Sequence, residues 1–146
     1  MIKATDVETD RRAIAGVVRD YFESWYEGDA DRMGRSLHPN LAKRAPMAAL
    51  LAFGATREGD PDALDEDTRQ TMVEATAQGI GAKRAPTPED RTIDVEIIDV
   101  YRWIASVTVR SSVYYEYLHL VRTSQGWKIV NALWQRTLKG GGDDAG

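Results

Sequence analysis

The chain of 146 residues contains no cysteine. That excludes disulfides, thiolate nucleophiles and thiolate metal sites, and it fits a reducing compartment. Only two histidines are present, His38 and His119, about eighty residues apart and with no close His/Glu pairing. Neither a zinc site nor a bound cofactor is therefore expected. The formal net charge is −4, the signs are interspersed, and no basic stripe is present to neutralise nucleic-acid phosphates. The opening MIKATDVETD lacks the apolar run of a signal peptide, and no stretch approaches membrane-spanning length. These absences give the expectation of a cytoplasmic protein with neither nucleic acid nor membrane as partner. Gly79-Ile80-Gly81 is followed by Ala82-Lys83-Arg84 rather than by a third glycine opening a helix, so no nucleotide loop is indicated. The acidic run 60–67 is interrupted by Pro61, Ala63 and Leu64 and lacks the ligand spacing of a calcium loop. No internal repeat occurs.

What is present suits one domain with one core, over residues 1–139. Ile14, Val17, Val18, Tyr21, Phe22 and Trp25 recur at three- and four-residue intervals, with Arg11, Arg12, Arg19, Asp20, Glu23 and Glu27 on the other face. This predicts an amphipathic helix over Ala13–Gly28. Gly28 is a left-handed stop and Asp29 a cap for a short second helix around Ala30–Leu37, ended by Pro39. Leu41–Ala45 reads as a short strand, Met47–Phe53 as an apolar stretch and Gly54–Asp62 as a loop. A third helix is predicted over Leu64–Gln78, stopped by Gly79 and Gly81, with Pro86 and Pro88 marking a loop. Arg91–Tyr101, Ile104–Val113, Tyr114–Arg122 and Trp127–Leu138 are rich in β-branched and aromatic residues and read as strands. Helices followed by strands indicate an α+β fold with helices on one face of a mostly antiparallel sheet. The tail Gly140–Gly146 has no apolar residue to dock and is expected to be disordered.

Several segments in this order resemble a known family: Asp20-Tyr21-Phe22, Trp25-Tyr26 and Gly28-Asp29; Leu37-His38-Pro39; Asp99-Val100 followed by Ile104-Ala105; Tyr117-Leu118-His119-Leu120-Val121; and Gly126-Trp127-Lys128-Ile129-Val130-Asn131. They are similar to the putative lumazine-binding group of the nuclear transport factor 2-like, SnoaL-like superfamily, over about Val7 to Leu138. The resemblance implies a cone-shaped α+β barrel with a cystatin-like fold, its curved sheet wrapped on about three N-terminal helices, usually as a homodimer. It fixes function less tightly, because the superfamily includes isomerases, cyclases, dehydratases and non-catalytic modules.

Set beside the ketosteroid isomerases of that superfamily, Tyr21 stands seven residues before Gly28, where their oxyanion-stabilising tyrosine lies. Their catalytic aspartate falls on Ala45, with Lys43 and Arg44 nearby, so the general base is missing there. Their second oxyanion donor falls near Leu118, unless a slip of register moves it to His119. Enolisation needs both a base and an oxyanion donor, and at most the donor is supplied.

Other groups could serve as catalytic residues. With Tyr21 as donor, His119, Glu116 and His38 are the candidate bases of an acid–base enzyme. On the strand Tyr114–Arg122, Glu116 shares parity with Tyr114, Leu118 and Leu120, and His119 with Tyr115, Tyr117 and Val121. The leucine-bearing set has the character of an interior, which puts His119 outside unless a bulge intervenes. His38 ends a helix, where histidines commonly bond the last carbonyls. Asn131 and Gln135 share parity with Ile129 and Leu133 and are read as sparse polar groups of a ligand pocket. Trp134 takes the other parity, and both it and Trp127 are read as packing or interface residues.

Three readings follow. In the first, a small, flat, partly apolar metabolite binds in the cone, lined by Tyr21, Trp25, Tyr114, Asn131 and Gln135. In the second, the domain is a SnoaL-like cyclase, isomerase or dehydratase working without a cofactor. In the third, it is a non-catalytic interaction module using the outer sheet face with Tyr115, Tyr117 or Trp134.

Overall fold

The computed structural model describes residues 4–50, 60 and 62–138. The expected tail 140–146, and most of the expected loop 54–62, lie outside the described residues. Helix α1 runs from Ala4 to Glu27 and so begins a full two turns before the apolar stripe. Ile14, Val18, Tyr21, Phe22 and Trp25 are buried along it, as their spacing requires. Each such side chain contributes roughly 1.5–3 kcal/mol when taken out of water, so this stripe fixes the helix on the sheet. Gly28 adopts a left-handed φ of 75° and stops α1. The Asp29 side chain then accepts from the Arg32 backbone N–H at 3.1 Å and opens helix α2, Ala30–Ser36.

Strand β1, Leu37–Pro46, starts directly at the end of α2, so Pro39 lies inside a strand instead of ending the helix. It sits where the pairing register of β1 shifts between Leu37 and Ala42, an irregularity that tolerates a residue without an N–H. Beyond the short helix α3, Met47–Leu50, strand β2, Leu64–Asp67, pairs antiparallel with β1 through Lys43–Asp67 and Pro46–Leu64. The third helix expected from Leu64 therefore begins later, as α4, Arg69–Ala77. Thr68 and Thr71 form a reciprocal capping box that sets its start. Gly79, with φ 77°, separates α4 from α5, Ile80–Arg84.

Strands β3, Asp94–Tyr101, β4, Ile104–Arg110, β5, Tyr114–Thr123, and β6, Gly126–Arg136, follow as antiparallel neighbours. The open sheet has the order β2-β1-β6-β5-β4-β3, and among the described strands only the β1–β6 pair is parallel. The fold is thus α+β, a curved, mostly antiparallel sheet with helices packed on its inner face. The core between them includes Phe22, Met33, Leu37, Val107, Leu118, Leu120 and Ile129.

One irregularity reorients a wall. On β6, Leu120 opposes Ile129 but His119 opposes Asn131, so Val130 is an extra residue in the ladder. Trp127 and Ile129 point inward before the bulge, and Ala132 and Trp134 do so after it. Asn131, Leu133 and Gln135 consequently face outward, which corrects the expectation that the two amides line the interior.

Candidate functional site

Strand alternation places Leu41, Lys43 and Ala45 of β1 on the inner face, with Arg44 outside on Glu66 at 2.9 Å. On β5 the same alternation turns Tyr114, Glu116, Leu118 and Leu120 inward. Helix α1 delivers Tyr21 and Trp25 to the same region. A polar cluster results in an otherwise apolar interior. The Tyr21 hydroxyl donates to Glu116 Oε1 at 2.9 Å, and Lys43 Nζ donates to the same hydroxyl oxygen. Lys43 Nζ lies 3.6 Å from Glu116 Oε2, with the two side chains only 7% and 3% exposed. The ammonium also stands 4.9 Å from the Tyr21 ring centre and 5.1 Å from that of Trp134. Next to this group, Trp25 Nε1 donates to the Tyr114 hydroxyl at 2.8 Å.

Burial sets the electrostatics. It holds the Tyr21 phenol well above its ordinary value, reinforced by the negative charge of Glu116 and the hydrogen bond to it. Tyr21 is therefore a protonated donor at neutral pH. The Tyr114 phenol is raised by burial as well, partly offset by the hydrogen bond from Trp25. Both charges are taken out of water, and the remaining hydrogen bonds must compensate for their desolvation.

The space beside the cluster is small. Tyr21, Trp25, Lys43, Met72, Glu116 and Trp134 are among the side chains around a cavity of about 30 Å³. That is room for about one or two waters. Among the described residues this cavity is smaller than the open interior expected for a flat metabolite. Among the described residues around this cavity only Asp67 and Arg84 are partly exposed, and they mark its side toward solvent, by β2 and α5.

The remaining candidates lie on the other side of the sheet. His119, exposed on β5, is within 3.3 Å of Asn131 through Nδ1, and His38 Nδ1 accepts from the Asn40 backbone N–H at 3.0 Å. His38, His119 and Asn131 share an outer groove of about 500 Å³ with Asp99, Tyr101 and Ile104. Gln135 lines a second outer groove, of about 510 Å³, with Tyr115, Tyr117 and Leu133. Neither histidine reaches the cone, and of the candidate bases only Glu116 does. His38 caps no helix carbonyl, because α2 has already ended at Ser36 and the chain has become a strand. Among the described residues no group of three His, Asp or Glu side chains is arranged to hold a metal ion. No described helix is long and apolar enough to cross a membrane.

Sequence reasoning missed Lys43. Its signal was available in the alternation Leu41-Ala42-Lys43-Arg44-Ala45, where a lysine shares parity with two apolar residues.

A family model described as putative lumazine-binding matches residues 9–135. No curated protein matches the sequence. Solved structures do resemble the fold. An NTF2-like protein of unknown function from Silicibacter pomeroyi is 14% identical, with 90% of this chain and 98% of that one covered at a TM-score of 0.63. One from Shewanella baltica is 12% identical, with 95% and 100% covered at 0.64. A protein described as a putative ketosteroid isomerase, from Shewanella frigidimarina, is 15% identical, with 84% and 94% covered at 0.52. These likenesses establish the NTF2-like fold of the chain.

Proposed function

The chain belongs to the putative lumazine-binding family, and from that premise we propose that it is a small-molecule-binding domain whose ligand meets the buried cluster of Tyr21, Lys43 and Glu116. The observation that carries this reading is an ion pair and a phenol sequestered with a cavity in an apolar interior. Replacing a buried ion pair by apolar side chains is often neutral or stabilising, so stability alone is a weak reason for its presence. A ligand of a few heavy atoms fits the cavity as found. A flat metabolite requires displacement of side chains such as Met72 and Arg84. Trp25 and Tyr114 supply the aromatic wall for either class.

The test is a thermal-shift screen of small carbonyl compounds, amides and flat heterocycles, pteridines included. A ligand at a hundred times its dissociation constant adds about 2.7 kcal/mol and raises the melt by several degrees. Hits that persist undiminished in Lys43→Met and Tyr21→Phe would place the binding elsewhere. Acid–base catalysis is the second reading, favoured by one contact: Glu116 as base directly beside Tyr21 as protonated donor.

The outer sheet face supports a further part of the proposal, homodimerisation. Tyr101, Ile104, Tyr117 and Leu133 are between 50% and 69% exposed on that face, an apolar surface that a second copy would cover. An interaction partner of another kind would use the same surface.

A further inference from the structure

We propose that the Lys43 amine condenses with a one- or two-carbon aldehyde to form an imine inside the cone, with Glu116 as proton acceptor and Tyr21 as relay. This deepens the binding reading above and rests on it. A lysine becomes nucleophilic when it is desolvated and a partner can take its proton. Lys43 meets the first condition through burial and the second through Glu116, 3.6 Å from Nζ. The Tyr21 hydroxyl touches both groups and can pass a proton between them.

The steps balance. The ammonium of Lys43 gives a proton to the Glu116 carboxylate. The freed lone pair on Nζ attacks the carbonyl carbon, and the C=O π pair moves to oxygen. A proton passes from nitrogen to that oxygen through Tyr21, giving a neutral carbinolamine. Glu116 then returns its proton to the hydroxyl, water leaves, and a protonated imine remains.

The product carries the same +1 charge as the ammonium it replaces, so the Glu116 carboxylate faces a cation both before and after the reaction. Charge distinguishes this from the other small electrophile that a buried lysine could take. Carbon dioxide would convert Lys43 to an anionic carbamate, so that the Glu116 carboxylate would face a like charge among buried side chains. Size agrees as well. The cavity of about 30 Å³ admits a molecule comparable to one or two waters, and the partly exposed Asp67 and Arg84 mark its side toward solvent.

The experiment is reductive trapping with acetaldehyde and cyanoborohydride on the whole folded chain, followed by peptide mapping at early times. Lys83, exposed on α5, is the internal standard for an ordinary solvated amine. The expected result is ethylation of Lys43 at least about tenfold ahead of Lys83, lost after denaturation and slowed in Tyr21→Phe. Occupancy of Lys43 at or below that of Lys83 overturns the proposal. If that occurs while small molecules still raise the melt of the wild type and not of Lys43→Met, the imine chemistry falls and the binding reading stands.

Discussion

The ion pair in the cone makes a strong prediction about stability. Lys43 and Glu116 are almost completely buried, so removing one partner leaves the other as an uncompensated charge in an apolar interior. Lys43→Met and Glu116→Leu should each lower the unfolding free energy by about 3–5 kcal/mol. In a chain of this size that corresponds to a fall of roughly 10 °C or more in the melt. The double variant has no stranded charge and should recover most of the combined loss. It still strands the Tyr21 hydroxyl, which loses both partners, at a cost of about 1–3 kcal/mol. Adding Tyr21→Phe should bring the triple variant close to the wild type. Urea denaturation with unchanged m-values measures all four differences. If the single variants each cost under about 1 kcal/mol and their effects simply add, the pair behaves as a solvated one and the buried-charge argument fails.

Three further outcomes are expected. Burial pushes the Tyr26 phenol up to about 12 from an ordinary 10.0, and Tyr21 and Tyr114 are raised in the same direction. The unfolded chain loses these protons first, so their contribution is fully present below about pH 10 and is lost as the pH rises toward 12 and above; denaturant titrations across that range will read the decline. Gly81→Ala should destabilise by about 1–3 kcal/mol or more, because an added Cβ would lie 2.1 Å from the Trp25 carbonyl oxygen, and an unchanged melt would refute that packing. Leu133→Asp together with Tyr117→Asp should halve the mass seen by light scattering while leaving the circular dichroism spectrum intact, and a monomeric wild type would refute the dimer.

The first two helices were readable because their signals are local, whereas α4 begins later than expected and α5 runs through Gly81, which was read as a stop. The stripe from Ile14 to Trp25, the left-handed Gly28 and the Asp29 cap each act within a few residues, and each appears in the structure where the sequence indicates. The four C-terminal strands were readable for the same reason. What failed was non-local. Leu64-Asp65-Glu66-Asp67 has no strand propensity of its own and is extended because it pairs with β1. Pro39 stops helices in general, but here α2 had already ended, with the Leu37 backbone N–H bonded to the Gly34 carbonyl.

The site divides in the same way. The leucines of β5 favoured an inward Glu116 and an outward His119, but a bulge would have reversed that, and it is the regular pairing of Tyr114–His119 with β6 that settles the face. Parity on β6 could not be read along the strand, because it changes sign within it. Ile129, counted forward in twos, carries Asn131 and Gln135 to the inner face, whereas the extra residue at Val130 sends both to the outer one. Nothing local to Ile129-Val130-Asn131 marks that insertion; it is visible only against β5.

Lys43 illustrates the opposite error. Its inward direction is local information, shared with Leu41 and Ala45, but a lysine on an apolar parity is normally assumed to be a rim residue reaching for solvent. Here the reach is inward, because Glu116 and Tyr21 arrive from β5 and α1 to receive the charge. The three positions depend on one another. Each alone is an unfavourable choice for an interior, and together they form a neutral, hydrogen-bonded unit, so substitutions at them are expected to couple in binding as well as in stability.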